Sequence, residues 1–391
     1  MNYTKNVYKL YLIIFFHNLI PAYVIERLFF EQRGLTVLTV VICELIYAAT
    51  IVILEIPSGI LADKLSRKAL LVTAAVLNVL EFVALLFTYR FEGFALLAVG
   101  AGIAASCSSG SFNALLYDSL LAVQKQEQFA KILGRTNAID LSAALIAALS
   151  GSVLAQRFDF ELNYMLSAVS MLLALVFTLA LQEPPKGSCG SEQTEKRGFA
   201  AYIKDSAGFY RSNPKAALLV VNAMALGACI NYLDEFWQLY LRDMGLTVAF
   251  FGGFAALILL LRIPGNLIAA FLLQYVSEER LLALVLVVTA AGFAAAAIFP
   301  GIVGLAVICL IFFVSGLVDP VVSGYLHHHV SSDIRATVDS FQSLGKRAIV
   351  LMVGLGFGYI ATWFSVATGF LFLSVICLLF LGTFLKRERL S

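Results

Sequence analysis

The sequence predicts an all-α membrane protein with twelve transmembrane helices, arranged as two pseudo-symmetric six-helix bundles. Three observations predict this class: the composition, the number of long apolar runs, and a weak internal repeat. Of the 391 residues, 61% are hydrophobic and 13% are charged, whereas soluble domains average about 25% charged residues. The net charge of +2 does not indicate nucleic-acid binding, because the Lys and Arg residues cluster between the apolar runs.

Twelve apolar runs are each long enough to cross a bilayer, which requires about 20 residues. Numbered in chain order as spans 1 to 12, they cover residues 8–30, 37–60, 69–89, 94–120, 133–156, 161–181, 215–241, 248–274, 280–299, 301–326, 336–361 and 363–385. Nineteen Lys and Arg residues fall on one side of the spans and only four on the other: Arg33, Arg90, Arg157 and Arg242. Because Lys and Arg favour cytoplasmic loops, we expect both termini in the cytoplasm and the protein in the plasma (bacterial inner) membrane.

The longest loop divides the chain into an N-terminal bundle (1–181), a cytoplasmic linker (182–214) and a C-terminal bundle (215–391). The linker begins with a polar stretch rich in Pro, Gly and Ser, which is typical of a flexible connection. Apolar residues then recur at helical spacing from Phe199 to Tyr210. This spacing predicts an amphipathic helix on the inner membrane surface.

The two halves share short repeated stretches. The tetrapeptide GLTV occurs at Gly34–Val37 and again at Gly245–Val248, and LEIPSG at Leu54–Gly59 is echoed by LRIPGN at Leu261–Asn266. Weak symmetry of this kind is typical of transporters built from two halves around a binding site at the bilayer midplane.

The stretch GILADKLSRK connects spans 2 and 3 and carries a cluster of charges: Gly59, Asp63, Lys64, Arg67 and Lys68. It resembles the signature loop of the major facilitator superfamily of secondary transporters. That signature has a Gly, an Asp followed by a basic residue, a second Gly and two further basic residues. Ser66 stands here in place of the second Gly, which substitutes one small residue for another. The resemblance covers the whole chain in layout and implies the major facilitator fold.

The resemblance implies an inner gate formed by Gly59, Asp63, Lys64, Arg67, Lys68 and Asp118. In the superfamily, the signature basic residue pairs with an acid at the inner end of span 4, which is Asp118 here. The signature Asp faces the amino end of span 11, where the helix dipole favours an anion. We expect these contacts to hold only in the outward-open state. The alternative is a permanent determinant of topology.

Carboxylates within the spans are the candidates for proton coupling. A charge in hydrocarbon costs roughly 2.5–3.5 kcal/mol on insertion scales, so such residues face the bundle interior and are paired or functional. By resemblance to proton-coupled members of the family, the pool comprises Glu26, Asp234, Glu235 and Asp319. The alternatives are structural ion pairs of Glu26 with Arg27 or Arg33, and of Asp319 with Arg347.

A second group of polar and aromatic residues lies within spans 1, 7, 8 and 11 and is predicted to line a substrate cavity. It comprises His17, Asn18, Tyr23, Asn231, Trp237, Arg262 and Arg347. Phe236 and Tyr240 are further candidates for an aromatic lining. Arg262 has two interpretations: it binds an anionic group of the substrate, or it pairs with an acid such as Asp234.

No cofactor, metal site or catalytic cluster is predicted. Five of the six Cys residues fall within apolar runs, and none has metal-ligand spacing. His327, His328 and His329 are adjacent and would point in different directions on a helix, which is poor geometry for a metal. The absence of a Gly-rich phosphate loop argues against ATP-driven transport.

These observations predict a proton-coupled exporter of small lipophilic drugs or metabolites, not an enzyme, that works by alternating access as a monomer in the bilayer. Its partners are protons and a small-molecule substrate, with no nucleic acid. The first alternative is an uptake symporter for a metabolite. It is favoured by the absence of Pro from span 5, where antiporter subfamilies often carry a Gly-Pro motif. The second is a membrane receptor or scaffold that does not transport.

Overall fold

The computed structural model describes residues 3–64, 66–184, 208, 210–329 and 332–388, and these fold into α-helices with short connections. For residues 4, 55–64, 326–329, 332–344 and 385–388 it describes the backbone alone. The chain forms two compact units. The first unit comprises residues 1–192 and 246–256, and the second comprises 193–245 and 257–391. The predicted amphipathic helix of the linker lies outside the described residues, apart from its end.

Eight helices precede the linker among the described residues. They are α1 (Thr4–Asn18), α2 (Glu26–Gln32), α3 (Val37–Lys64), α4 (Arg67–Leu85), α5 (Phe91–Ser108), α6 (Ser111–Leu121), α7 (Phe129–Arg157) and α8 (Phe160–Leu179). Short 3₁₀ turns lie at Tyr23–Ile25 and Gln126–Gln128.

Seven further helices follow the linker in the described chain. They are α9 (Pro214–Asp243), α10 (Ala249–Leu272), α11 (Glu278–Ile298), α12 (Ile302–Ser315), α13 (Val318–His329), α14 (Ser332–Trp363) and α15 (Val366–Glu388). Eleven membrane-spanning candidates emerge from the described residues by length and hydropathy. Helix α14 is long enough to be the twelfth, but it carries Lys346 and Arg347 within its apolar part.

Spans 1, 4 and 10 are each two helices, although the sequence predicted a single continuous helix for each. Span 1 breaks between α1 and α2 around Pro21, which has no backbone N–H and is sterically unsuited to a helix interior. Span 4 breaks at Ser109–Gly110, where Gly110 has a φ of +74°. Span 10 breaks at Gly316–Leu317.

Side chains of α8 satisfy the backbone groups released at the break in span 1. Asn163 donates from Nδ2 to the carbonyl oxygens of Pro21 and Gly151, both at 2.9 Å. The backbone N–H of Ala22 donates to the Ser167 hydroxyl at 3.1 Å. Because hydrocarbon offers no hydrogen bonds, a broken helix at membrane depth requires partners of this kind.

The repeated GLTV stretches have the same local geometry in both halves. Gly34 has a φ of +88° and Gly245 a φ of +79°, and each follows the end of one helix and precedes the start of the next. Glycine adopts this left-handed conformation without a steric penalty, and it is the usual residue just past a helix end. The sequence repeat is therefore a repeated helix-ending turn.

Each unit has its own apolar core. In the first unit, Leu10, Leu71, Leu115 and Leu116 cluster with other aliphatic residues at one end of the helices. The core of the second unit contains a cluster of aromatic rings, in which Phe357 contacts Tyr232, Phe236 and Phe370 at ring-centroid distances of 5.4, 5.2 and 6.2 Å.

Gly151 permits the close approach of α7 to the break in span 1. A Cβ atom at this position would lie 2.3 Å from the Pro21 carbonyl oxygen, which belongs to the backbone and cannot rotate away. We expect Gly151→Ala to lower the free energy of unfolding by about 1–3 kcal/mol through overpacking. Thermal unfolding of the detergent-solubilised protein, followed by intrinsic fluorescence, measures the change.

Gly100→Ala is the matched control for this substitution. Gly100 also lies in a helix, but a Cβ atom added there would have no neighbouring atom within 4 Å. The control should be neutral or stabilising by up to about 1 kcal/mol, because Ala favours helix over Gly. Equal unfolding temperatures for the two variants would contradict the close contact at Gly151.

Candidate functional site

The Arg67 side chain joins the start of α4 to α6 in the first unit. Its guanidinium donates to the carboxylate of Asp118 and, at 2.9 Å, to the carbonyl oxygen of Ala114. Asp118 is buried and forms an ion pair with Arg67. A planar guanidinium can serve both acceptors at once, which a Lys ammonium does less well. The structure therefore brings together two of the residues predicted for the inner gate.

Glu183 caps the start of α4, a role that the sequence analysis missed. Its carboxylate accepts hydrogen bonds from the Ser66 hydroxyl at 2.6 Å and from the backbone N–H groups of Arg67 and Lys68 at 2.9 and 2.8 Å. The first N–H groups of a helix have no partner within the helix, and the helix dipole favours an anion there. The available signal was an acidic residue directly after span 6, on the same predicted side as the basic loop.

Asn6 extends these contacts to α1. Its side chain donates to the Ser119 hydroxyl at 3.0 Å and to the Gln182 carbonyl oxygen at 2.8 Å, and accepts from the Gln182 N–H at 3.1 Å. We call this set the inner-end network; it consists of Asn6, Ser66, Arg67, Asp118, Ser119, Gln182 and Glu183. It ties the ends of spans 1, 3, 4 and 6 together above the leucine cluster of the first unit.

The remaining predicted gate residues have only their backbone described. Gly59, Asp63 and Lys64 lie in the last turns of α3. Their side chains, including the expected approach of Asp63 to the start of span 11, fall outside the described part of the structure. The same holds for His327, His328 and His329 at the end of α13.

Arg27 is shared by two carboxylates in the first unit. Its Nη2 lies 2.6 Å from Oε1 of Glu44, and its Nη1 lies 3.7 Å from Oε2 of Glu26. The Arg27 side chain is 6% exposed, whereas those of Glu26 and Glu44 are 27% and 25% exposed. The pairing of Glu26 with Arg27 that the sequence offered as an alternative is thus present, but Glu44 is the closer partner.

Two more charged residues of the first unit, Glu81 and Arg33, are relevant to the interpretation of Glu26. Glu81 in α4 is within electrostatic reach of Glu26. Arg33 pairs with Glu161 at 2.9 Å and lies over the ring of Tyr89, 4.0 Å from its centroid. The ion pair observed for Arg33, which the sequence offered as an alternative partner of Glu26, is thus with Glu161.

In the second unit, Asp234 of α9 and Arg262 of α10 form a pair. The guanidinium donates from Nη2 to Oδ2 of Asp234 at 2.5 Å and lies 5.1 Å from the centroid of the Phe312 ring. The Nε atom of Arg262 is buried without a hydrogen-bond partner in the described structure. Glu235 follows Asp234 directly and is half-buried.

Asp319 and Arg347, predicted as alternative partners, form no ion pair among the described residues. Asp319 lies in the first turn of α13 and is exposed, whereas Arg347 lies within α14 and is half-buried. Asp319 remains a candidate for proton coupling by its position alone.

The predicted cavity residues have unequal exposure. Tyr23 is 51% exposed, and Asn18 donates to the Ile14 carbonyl oxygen of its own helix. His17 lies within electrostatic reach of Asp140 and lines a cavity of about 440 Å³ inside the first unit. Asn231 is half-buried in α9.

The aromatic residues of α9 are mainly core. Phe236 is fully buried, Tyr240 is 2% exposed and donates to the Ala296 carbonyl oxygen, and Trp237 is 6% exposed. Phe236 and Tyr240, which the sequence offered for an aromatic lining, are therefore core residues in this structure. Helical spacing in an apolar run does not distinguish the face that meets a cavity from the face that meets neighbouring helices.

Comparisons with known proteins identify the family. The family model described as Major Facilitator Superfamily matches residues 10–348. No curated protein sequence matches the chain.

Solved structures with the same fold have low sequence identity to the chain. A mutant of the nucleoside transporter NupG is 16% identical, with a TM-score of 0.80 over 97% of this chain and 99% of that one. A bacterial homologue of the human lysosomal transporter Spinster, in an inward-facing and unoccupied conformation, is 15% identical, with a TM-score of 0.75 over 99% and 97%. A D-xylose–proton symporter is 14% identical, with a TM-score of 0.68 over 97% and 95%. At these identities the similarity shows the fold alone.

The contacts of Glu183 predict that it stabilises the start of α4. Glu183→Gln keeps the shape of the side chain but removes the charge that accepts three hydrogen bonds. We expect a loss of about 1–2 kcal/mol in the free energy of unfolding. Urea or thermal unfolding of the purified protein measures this change.

Glu127→Gln provides the control, because Glu127 is exposed in the turn before α7 and makes no hydrogen bond in the described structure through its side chain. If both variants unfold like the wild type, Glu183 does not act as a helix cap.

Proposed function

We propose that this chain, which belongs to the major facilitator superfamily, exports small lipophilic drugs or metabolites in exchange for protons. Membership of this family implies that the chain is a multi-pass membrane protein that transports a small molecule. The direction, the coupling ion and the substrate are the proposal. It includes a plasma-membrane location, cytoplasmic termini, a monomeric state and the division into bundles at 1–181 and 215–391 with the linker between them.

The observation that carries the proposal is the sharing of Arg27 by Glu26 and Glu44. A proton carrier must become neutral and charged in turn within each transport cycle. If Glu26 takes a proton, Arg27 keeps the closer carboxylate of Glu44 at 2.6 Å and is not left as an uncompensated charge. Removing one partner of a buried ion pair is costly because it strands the other. The geometry around Glu26 avoids that cost.

The same reasoning ranks Asp234 below Glu26. Asp234 is the only carboxylate that forms an ion pair with Arg262 among the described residues. Protonation of Asp234 would leave a partly buried guanidinium without its anion. We therefore assign Asp234 and Arg262 to holding α9 and α10 together, and keep Glu235 and Asp319 as further candidates for coupling.

The inner-end network supports a gate in the same proposal. Arg67, Asp118 and Glu183 fix the start of α4 to α6 and to the residues that follow α8. Their contacts lie within the first unit, a few residues after Asp63 and Lys64 in the chain. In this proposal, Gly59, Asp63 and Lys64 make the state-dependent contacts, and Arg67, Lys68 and Asp118 hold the loop in place.

A proton-coupled uptake symporter for a metabolite is the second candidate. The observation that favours it is the absence of Pro from α7, where antiporter subfamilies often carry a Gly-Pro motif. The two candidates differ in the sign of the gradient that drives accumulation, so one assay separates them.

Uptake of ethidium into proteoliposomes tests the proposal. Ethidium is a permanent cation, so it is not trapped in an acidic lumen as a weak base would be. An antiporter accumulates ethidium when the lumen is acidic, and a symporter accumulates its substrate when the outside is acidic. We expect the wild type to accumulate ethidium when the lumen is acidic. The Glu26→Gln variant should accumulate at least tenfold less, but it should still exchange ethidium when the pH is equal on both sides.

Glu92→Gln serves as the matched control, because Glu92 is exposed in the first turn of α5 and outside the proposed coupling group. It should accumulate ethidium like the wild type. Accumulation only with an acidic exterior would favour the symporter, and wild-type accumulation by Glu26→Gln would contradict coupling through this residue.

A further inference from the structure

The first unit contains a cavity of about 440 Å³ within its own helices. It lies between α1, α4, α8 and the break between α5 and α6, and all its lining residues belong to the first unit. Pockets that bind small organic ligands typically measure about 300–1,000 Å³. The cavity is therefore large enough for a compact ligand.

The polar part of the lining consists of uncharged hydrogen-bonding groups and one imidazole. These residues are His17, Asn78, Ser108, Ser109, Asn113 and Thr178. The rest of the lining is aliphatic or aromatic, and the described lining residues include no Asp, Glu, Lys or Arg. A lining of this composition favours an uncharged ligand, because a charged ligand would lose its hydration without gaining a counter-ion.

Asn78 is placed where an unused carboxamide is unfavourable, whereas Asn113 is exposed near the start of α6. Asn78 lies eleven residues into α4, about 16 Å from its start at 1.5 Å per residue, which is near the middle of a hydrocarbon layer about 30 Å thick. Neither carboxamide makes a hydrogen bond to any residue in the part of the chain that the structure describes. Thr178, in contrast, donates to the Ala174 carbonyl oxygen of its own helix.

The break in span 4 brings Asn113 to the same cavity as Asn78. Gly110 has a φ of +74°, so the chain changes direction between α5 and α6 and places Ser109, Gly110 and Asn113 along the lining. A carboxamide carries two N–H donors and an acceptor oxygen side by side. It therefore complements a ligand edge that presents a donor next to an acceptor.

We propose that this cavity binds an uncharged ligand with adjacent hydrogen-bond donor and acceptor groups, as in a primary amide or a nucleobase. Asn78 and Asn113 bind that edge, and Phe112, Met171 and the aliphatic residues contact the rest of the ligand. The inference rests on the proposed function in that it adds an uncharged metabolite class to the transporter's substrates, beside lipophilic drugs such as the cation ethidium, which this cavity would not bind. It depends on neither the coupling ion nor the direction.

Nicotinamide and nicotinate form a matched pair of probes, because they share a ring and differ in carrying an amide or a carboxylate. Equilibrium binding of radiolabelled probes to the protein in lipid nanodiscs, without a pH gradient, measures the site directly. We expect nicotinamide to bind at least tenfold more tightly than nicotinate. Adenine is tested in the same way. Comparing the affinities of nicotinamide and adenine shows whether the site favours an amide or a nucleobase.

Three variants locate the binding in this cavity. Asn78→Leu and Asn113→Leu remove the carboxamides, and Ala75→Phe fills the space without removing a polar group. Each should weaken binding at least tenfold while retaining a monodisperse elution profile. Asn266→Leu is the control, because Asn266 is exposed in α10 and lies outside the cavity; it should bind like the wild type.

Three results would overturn the proposal: equal binding of nicotinamide and nicotinate, no binding of either amide or base by the wild type, or unchanged binding by folded cavity variants. If an Asn variant does not fold, Ala75→Phe carries the test alone. Failure of the proposed function is distinguishable from failure of this site. If an amide or nucleobase binds but no substrate is transported by a gradient, the binding site is supported and the export proposal fails. If ethidium is transported but no amide or nucleobase binds, the export proposal is supported and the binding site fails.

Discussion

The structure depends on the requirement that polar backbone groups and charges in hydrocarbon have partners within the protein. The break in span 1 shows this most directly. Pro21 interrupts the helix, and Asn163 and Ser167 from α8 supply the hydrogen bonds that the helix no longer makes. Gly151 allows α7 to approach the same point. The break is thus held by two neighbouring helices, and it sets the position of Glu26 and Arg27 at the start of α2.

The same requirement explains how charges are distributed between stability and function. Arg67 forms an ion pair with Asp118, and Arg262 forms one with Asp234. Arg27 differs because two carboxylates lie beside it. A group that can lose its charge without stranding a neighbour is suited to reversible protonation. This asymmetry is the physical basis for choosing Glu26 among the acids within the spans.

Much of the architecture could be predicted from the sequence, because hydropathy and the requirement for internal hydrogen bonding leave few alternatives in a membrane. The GLTV repeat at Gly34 and Gly245 is evident in the sequence, and both copies form the same backbone turn in the structure. Residues such as Asn163 and Glu183 could not be assigned roles, because Pro21 lies 142 residues from Asn163 and Arg67 lies 116 residues from Glu183 along the chain. The burial of Phe236 and Tyr240 could not be predicted, because an apolar run does not reveal which face of the helix is in the core.

The most direct test of the central claim is the lumenal pH of proteoliposomes, reported by an entrapped pH indicator, when ethidium is added outside at zero membrane potential. The account predicts that the lumen becomes more alkaline as ethidium enters, and that Glu26→Gln abolishes this change. Ethidium entry with no proton movement, or proton movement in the same direction as ethidium, would contradict it.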